Sequence, residues 1–183
     1  MSAQNLAGLH RDKLRIIALL VIGFMATMPF SYGQSDSLNR TDKFGKRYGN
    51  WEKREKGVLL WKATFYNGEP VGAFIHYHPN KKVKDSLYYH PNSPKVDAFS
   101  YYSNGKKKSE GVFINKIKDG KWLYYNNTEI LIAEEHYKLG KKHGVFKLFA
   151  PKDGILLKEE SWENDVRHGT YKEYFTTSGC SKF

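Results

Sequence analysis

Three groups of side chains in this 183-residue chain have types and spacings that suit chemistry. His76-x-His78, with His90 close by, offers imidazoles to a metal, since residues i and i+2 of a strand face one way. No carboxylate or cysteine completes a ligand set, so neither a metal nor any other cofactor is expected. Glu134-Glu135 and Glu159-Glu160 are carboxylate pairs of the kind acid–base catalysis uses. They return at the same interval as the rest of the pattern, which makes them cross-strand partners for lysine. The sequence has no Ser/His/Asp arrangement, nucleophile elbow, phosphate-cradling glycine loop or zinc-protease helix. The chain therefore reads as non-catalytic, with a hydrolase built on Glu135 as the alternative.

The third group is basic. Arg47, Lys95, Lys118, Lys142 and Arg167 each stand two residues before the same point of a recurring phrase. Stacked in order they would line one edge at a spacing of roughly 10 Å, twice the strand separation. Clusters at Lys81, Lys82, Lys84 and at Lys106, Lys107, Lys108 add to it. Such a track suits acidic lipid head groups or anionic glycans. The competing explanation is that edge and turn lysines keep strands from sticking and the chain in solution.

The phrase itself is clearest at Lys118-Asp119-Gly120-Lys121-Trp122-Leu123-Tyr124-Tyr125: basic, any, Gly, any, aromatic, any, any, aromatic. It returns at Lys142-His143-Gly144-Val145-Phe146 with Phe149, and at Arg167-His168-Gly169-Thr170-Tyr171 with Tyr174. Earlier copies are Arg47-Tyr48-Gly49-Asn50-Trp51, Gly72-Ala73-Phe74 with Tyr77, and a degenerate Lys95-Val96-Asp97-Ala98-Phe99 with Tyr102. Positions 49, 72, 97, 120, 144 and 169 are 23 to 25 residues apart, the mark of a stacked repeat protein.

A second apolar piece follows each phrase by about fifteen residues, as at Leu59 to Phe65 and Ile130 to Tyr137. Asn-Gly, Pro-Asn and Asp-Gly turns separate the pieces. Aromatic and β-branched runs bounded by such turns read as strands joined in hairpins. The expected fold is all-β: an elongated, single-layer antiparallel sheet of stacked β-hairpins, about six units and about eleven strands. The phrase glycine either admits a neighbouring ring over the backbone or permits a bend closed to other residues. Asp97 replaces it in the third unit, where a local distortion is expected. The two phrase aromatics are three residues apart, so either both faces carry rings or a bulge turns one of them. The rings are first of all core. If one face is exposed, the second row, Tyr77, Tyr102, Tyr125, Phe149 and Tyr174, would anchor a partner.

Gly-x-Trp-x-x-Tyr at this period, with a basic residue and an Asn-Gly turn before it, resembles the MORN repeat. It is most similar to the bacterial variant found in exported proteins and in chains labelled antitoxin-like. The resemblance covers residues 46–174 and departs from the pattern at Arg54 and Asp97. It implies stacked hairpins and a binding or scaffolding role, with acidic phospholipid as a ligand in some eukaryotic members. It does not imply catalysis.

The N-terminus reads as an address. Arg11, Lys13 and Arg15 precede an apolar run of about 15 residues from Ile16 to about Phe30, shorter than the ~20 a spanning helix needs. Pro29 and the small residues Ser31 and Gly33 fit a signal helix cleaved after Gly33, an uncleaved anchor being the alternative. The expected domains are a signal peptide (1–33), a linker or cap (34–45), the repeats (46–175) and a tail (176–183) carrying the single cysteine, Cys180. Cleavage removes three of 30 basic and one of 19 acidic residues, leaving a net charge of +9. An exported basic repeat protein is expected to bind another protein of the cell envelope, or acidic lipid or glycan; nucleic acid is not expected.

Overall fold

The computed structural model describes residues 37–175; the expected signal segment and C-terminal tail lie outside them. Thirteen strands form one antiparallel sheet in sequence order, with no helix among the described residues. They are β1 (Arg40–Thr41), β2 (Arg47–Glu55), β3 (Val58–Tyr66), β4 (Glu69–Tyr77), β5 (Val83–Tyr89), β6 (Lys95–Tyr101) and β7 (Lys107–Ile114). Then follow β8 (Ile117–Tyr125), β9 (Leu131–Lys138), β10 (Lys141–Lys142), β11 (Gly144–Phe149), β12 (Leu156–Glu163) and β13 (Val166–Glu173). The fold is the expected single-layer meander of hairpins. The two extra strands have simple origins. The segment before Lys46 contributes β1, which pairs with the start of β2, and the fifth phrase strand is divided at His143 into β10 and β11.

Hairpin chemistry explains the chain reversals. Lys56-Gly57, Asn67-Gly68, Asn115-Lys116, Leu139-Gly140 and Asn164-Asp165 each have positive φ at both residues. That is the type I′ geometry whose twist matches the flanking strands. The longer turns are held from unit to unit by asparagine amides. Asn80 donates to the Ser103 carbonyl at 2.7 Å, Asn104 to Asn127 at 3.0 Å and Asn126 to Pro151 at 2.5 Å.

The phrase glycine makes a bend. Gly49, Gly72, Gly120, Gly144 and Gly169 all have φ between 65° and 89°. A Cβ added at Gly49, Gly72 or Gly120 would meet nothing within 4 Å, so backbone conformation and not crowding selects glycine there. At Gly72, Gly120 and Gly169 the register to the preceding strand slips by two residues. Ala63↔Phe74 gives way to Thr64↔Val71, for example. A two-residue slip leaves the alternation of faces intact.

The third unit is the reverse of what the sequence suggested. Asp97 has no positive φ, and β5 pairs with β6 in one unbroken register. The copy without glycine is the regular one. The frame of that unit also moves by one residue. The carbonyls of Arg47, Lys118 and Lys142 accept from the following turn, and in the third unit Pro94, not Lys95, does this. The second-aromatic bulge falls at Tyr77, Tyr101, Tyr125 and Phe149, an even spacing that Tyr102 does not share. Val96 therefore stands in the glycine position and Ala98 in the ring position.

Antiparallel partners share a face, so the register sorts the side chains. The six buried residues, Ala63, Phe65, Val96, Ala98, Trp122 and Phe146, all fall on one face, here called the ring face. A single sheet has no second layer, so its rings bury one another. Trp61 and Phe74 lie 5.1 Å apart, Phe113 and Trp122 4.9 Å, and Phe146 and Trp162 5.8 Å. Close packing of this kind needs gaps for large rings. Gly111 provides one: a Cβ there would lie 2.2 Å from Trp122 Cδ2.

Candidate functional site

Both faces carry rings. The first phrase aromatics, Trp51, Phe74, Trp122, Phe146 and Tyr171, lie on the ring face. The second aromatics alternate to the opposite face. There Tyr125 donates to Glu110 at 2.6 Å and Tyr174 to Glu159 at 3.0 Å. Tyr77 and Phe149, at the equivalent bulge, are half-buried. Tyr102, one residue out of frame, donates to the Tyr125 carbonyl at 2.8 Å. Phe99 is also out of frame, facing Ser86 and Glu110 away from the ring face. With Ala98 in its place, the row is interrupted by a depression of about 340 Å³ lined by His76, Leu87, Ala98, Phe113 and Trp122.

The basic residues do not form one edge row. Arg47 lies over Trp51, Trp61 and Phe65 at 4.9, 5.8 and 5.0 Å. Lys118 Nζ sits 4.7 Å from the centres of Trp122 and Tyr137, Lys142 sits 4.2 Å from Trp162, and Arg167 sits 5.5 Å from Trp162. Four of the five therefore cap the rings of their own face, where a cation is drawn to the ring quadrupole. Lys95, out of frame, turns to the other face and pairs with Asp97 at 3.1 Å.

The histidines do not converge. His76 packs on Phe74 at 4.9 Å, His78 Nε2 donates to the Tyr101 carbonyl at 2.9 Å, and His90 Nε2 donates to Asp97 at 2.7 Å. Among the described residues no cluster of three His, Cys, Asp or Glu is placed to hold a metal ion. The hydrogen bond from His90, aided by Lys95, holds the Asp97 carboxyl below its ordinary range.

The glutamate pairs are split between the faces. Glu135 is on the ring face, accepting from Tyr137 at 2.8 Å with Lys118 at 3.7 Å. Glu134 is on the other, between His136 at 2.9 Å and Lys121 at 3.5 Å. Glu160 and Glu159 repeat this, with Lys158 at 3.0 Å and Lys147 at 3.4 Å. Neighbouring carboxylates on opposite faces cannot act on one bond. Partial burial works against ionised Glu110, but hydrogen bonds from Tyr125 and Lys107 outweigh it and its pKa falls. Burial, then the bond to Glu110, pushes the Tyr125 phenol up to about 12. Burial followed by Glu135 raises Tyr124 and Tyr137 as well. These tyrosines stay neutral at ordinary pH, Tyr125 and Tyr137 as donors to glutamate and Tyr124 as acceptor from Lys118.

Sequence reasoning passed over three exposed rings. Tyr48, Tyr66 and Tyr88 are 49, 65 and 46% exposed. All three lie opposite the ring face, with Tyr48 and Tyr66 6.0 Å apart. The doublets Phe65-Tyr66 and Tyr88-Tyr89 were the available signal, because adjacent strand residues face apart.

No family model matches this chain, and no curated protein does. Among solved structures, two crystal structures of TarM align. One is a mutant of S. aureus TarM in complex with Fondaparinux, alpha-GlcNAc-glycerol and UDP, at 9% identity and a TM-score of 0.37, covering 52% of this chain and 19% of TarM. The other, a crystal structure of TarM, gives 9% identity, a TM-score of 0.37 and coverage of 53% of this chain and 19% of TarM. This chain spans about a fifth of TarM's length. At that score the likeness carries no argument about function.

Proposed function

We propose that this chain is an exported, MORN-type repeat protein that acts without catalysis, holding another protein of the cell envelope on one face of its sheet. The observation that carries this reading is the exposure of Tyr48, Tyr66 and Tyr88 on the face opposite the ring face. Tyrosine offers a large rigid contact with a polar tip, and exposed ring clusters mark partner sites. The second phrase row is a weaker candidate, since Tyr102, Tyr125 and Tyr174 have committed their hydroxyls within the chain. A net charge of +9 on residues 34–183 favours an acidic partner surface.

The test is capture of envelope proteins on the immobilised protein, comparing wild type with the Tyr48→Ser/Tyr66→Ser/Tyr88→Ser variant. Specific capture lost in the variant supports the reading. Equal capture by both refutes it. Binding to anionic vesicles or anionic glycan that vanishes at high salt, with no protein captured, would replace it by a polyanion-binding role for the lysine clusters.

A further inference from the structure

The repeat register reveals a second surface, distinct from the tyrosine face. Each of the first five phrase positions is faced, in the next strand, by a ring: Gly49↔Phe65, Gly72↔Tyr89, Val96↔Phe113, Gly120↔Tyr137 and Gly144↔Trp162. Where the residue two before the phrase position is basic, its cation lies over that incoming ring. Arg47 is 5.0 Å from Phe65, Lys118 4.7 Å from Tyr137 and Lys142 4.2 Å from Trp162. Gly169 is the sixth phrase position. It keeps the same bend, with φ of 89°, and the same basic residue, Arg167. Yet it lies on β13, the last strand of the sheet, where all eight residues are exposed and no described strand follows. The other edge differs, because β1 pairs with the start of β2 and the Arg40 carbonyl accepts from Trp51 Nε1 at 2.9 Å.

We infer that the β13 edge is a strand-addition site that takes an extended segment of another polypeptide, antiparallel, with an aromatic residue opposite Gly169 beneath Arg167. Its specificity follows from the neighbouring units. Two residues before the ring, the two units nearest β13 place Glu135 opposite Trp122 and Glu160 opposite Phe146, where the first three units have Ala63, Leu87 and Gly111. The incoming segment therefore carries an acidic residue opposite Tyr171 and a ring two residues later, as in Glu135-His136-Tyr137. Main-chain hydrogen bonds supply affinity and the alternate side chains supply selectivity, as in other strand-addition interfaces. This inference does not depend on the tyrosine face.

The probe is a synthetic peptide with the sequence of Leu131–Lys138, added to the full protein and followed by hydrogen exchange. Binding is expected to slow those amides of Val166–Glu173 that point away from β12, the others being already bonded to it. Replacing the peptide's tyrosine by alanine should weaken binding more than about tenfold, the loss of a buried ring. Arg167→Met in the protein should weaken it about 2- to 5-fold, and Gly169→Val, which cannot keep the bend, should abolish it. An unchanged thermal melt shows that each variant is folded, and Arg167→Met keeps the test open if Gly169→Val is not. The proposal is overturned if protection appears on β2 instead, if the alanine peptide binds as well, or if no protection appears at millimolar peptide. It is equally overturned if those β13 amides that point away from β12 are already slow in the free protein, since its own chain or a second copy would then cover the edge. The Tyr48, Tyr66 and Tyr88 variants should leave peptide binding unchanged, which separates this test from the one above.

Discussion

Gly111→Ala adds one methyl group at the tightest point of the ring face. The new Cβ would lie 2.2, 2.4 and 2.7 Å from Cδ2, Cε2 and Cγ of Trp122, each well inside the ~3.5 Å at which carbon atoms attract. Trp122 cannot yield easily. It is 5% exposed, its Nε1 donates to the Val112 carbonyl at 3.2 Å, Phe113 packs edge-on at 4.9 Å, and Lys118 covers it at 4.7 Å. Gly111 has no positive φ, so alanine meets no backbone penalty and the effect is steric alone. Overpacking of this kind costs about 1–3 kcal/mol, or a fall in Tm of about 2 to 12 °C for a domain of this size. The assay is thermal or urea unfolding followed by tryptophan fluorescence. A second variant makes it decisive: Trp122→Leu loses stability alone but should relieve Gly111→Ala, so the two effects are not additive. Gly120→Ala is the contrast. Its Cβ meets nothing within 4 Å, but its φ is 65°, so the cost of about 1–2 kcal/mol is conformational and no change at Trp122 should rescue it. Unchanged stability in Gly111→Ala, or purely additive effects with Trp122→Leu, would refute this account of how a single sheet buries its rings.

Other outcomes are open to measurement. Lys142→Met should lower stability by about 0.5–1 kcal/mol, the worth of an exposed cation over a ring, and the loss should persist in high salt where a surface ion pair would not. The lowered pKa of Asp97, Glu110, Glu134 and Glu160 means that the folded state releases these protons more readily than the unfolded chain. Their stabilisation is present above the ordinary carboxylate pKa of about 4 and disappears as pH falls below it, so an acid titration of Tm should drop there. Asp97→Asn, which also weakens the hold of His90 and Lys95, should shrink that drop. Tyr124, Tyr125 and Tyr137 are shifted upward, so their contribution holds below the ordinary phenol pKa of about 10 and is lost as pH rises beyond it. An alkaline titration should show Tm falling above that point.

The all-β class, the hairpin units, the turns and the antiparallel order were legible in the sequence because all of them are local. Asn-Gly and Lys-Gly pairs carry their own positive φ, and a ring every 24 residues or so needs no distant information to declare a repeat. The division of each glutamate pair between faces follows from strand alternation, whereas the faces of the two aromatic rows stay open in the sequence, because a bulge sits beside the second aromatic. Three matters were decided only in the sheet. The third unit was read one residue out of frame, because Asp97-Ala98-Phe99 imitates the phrase while only cross-strand pairing sets the frame, with Val96 opposite Phe113. The basic residues were placed on an edge, yet the two-residue slip at the glycines lets Lys118 reach over rings of two strands, a geometry that no single strand contains. Gly111 and the exposed tyrosines went unremarked for the same reason. How closely a ring approaches the neighbouring backbone, and which rings remain uncovered, depend on residues far apart in the chain that become neighbours only when the strands pair.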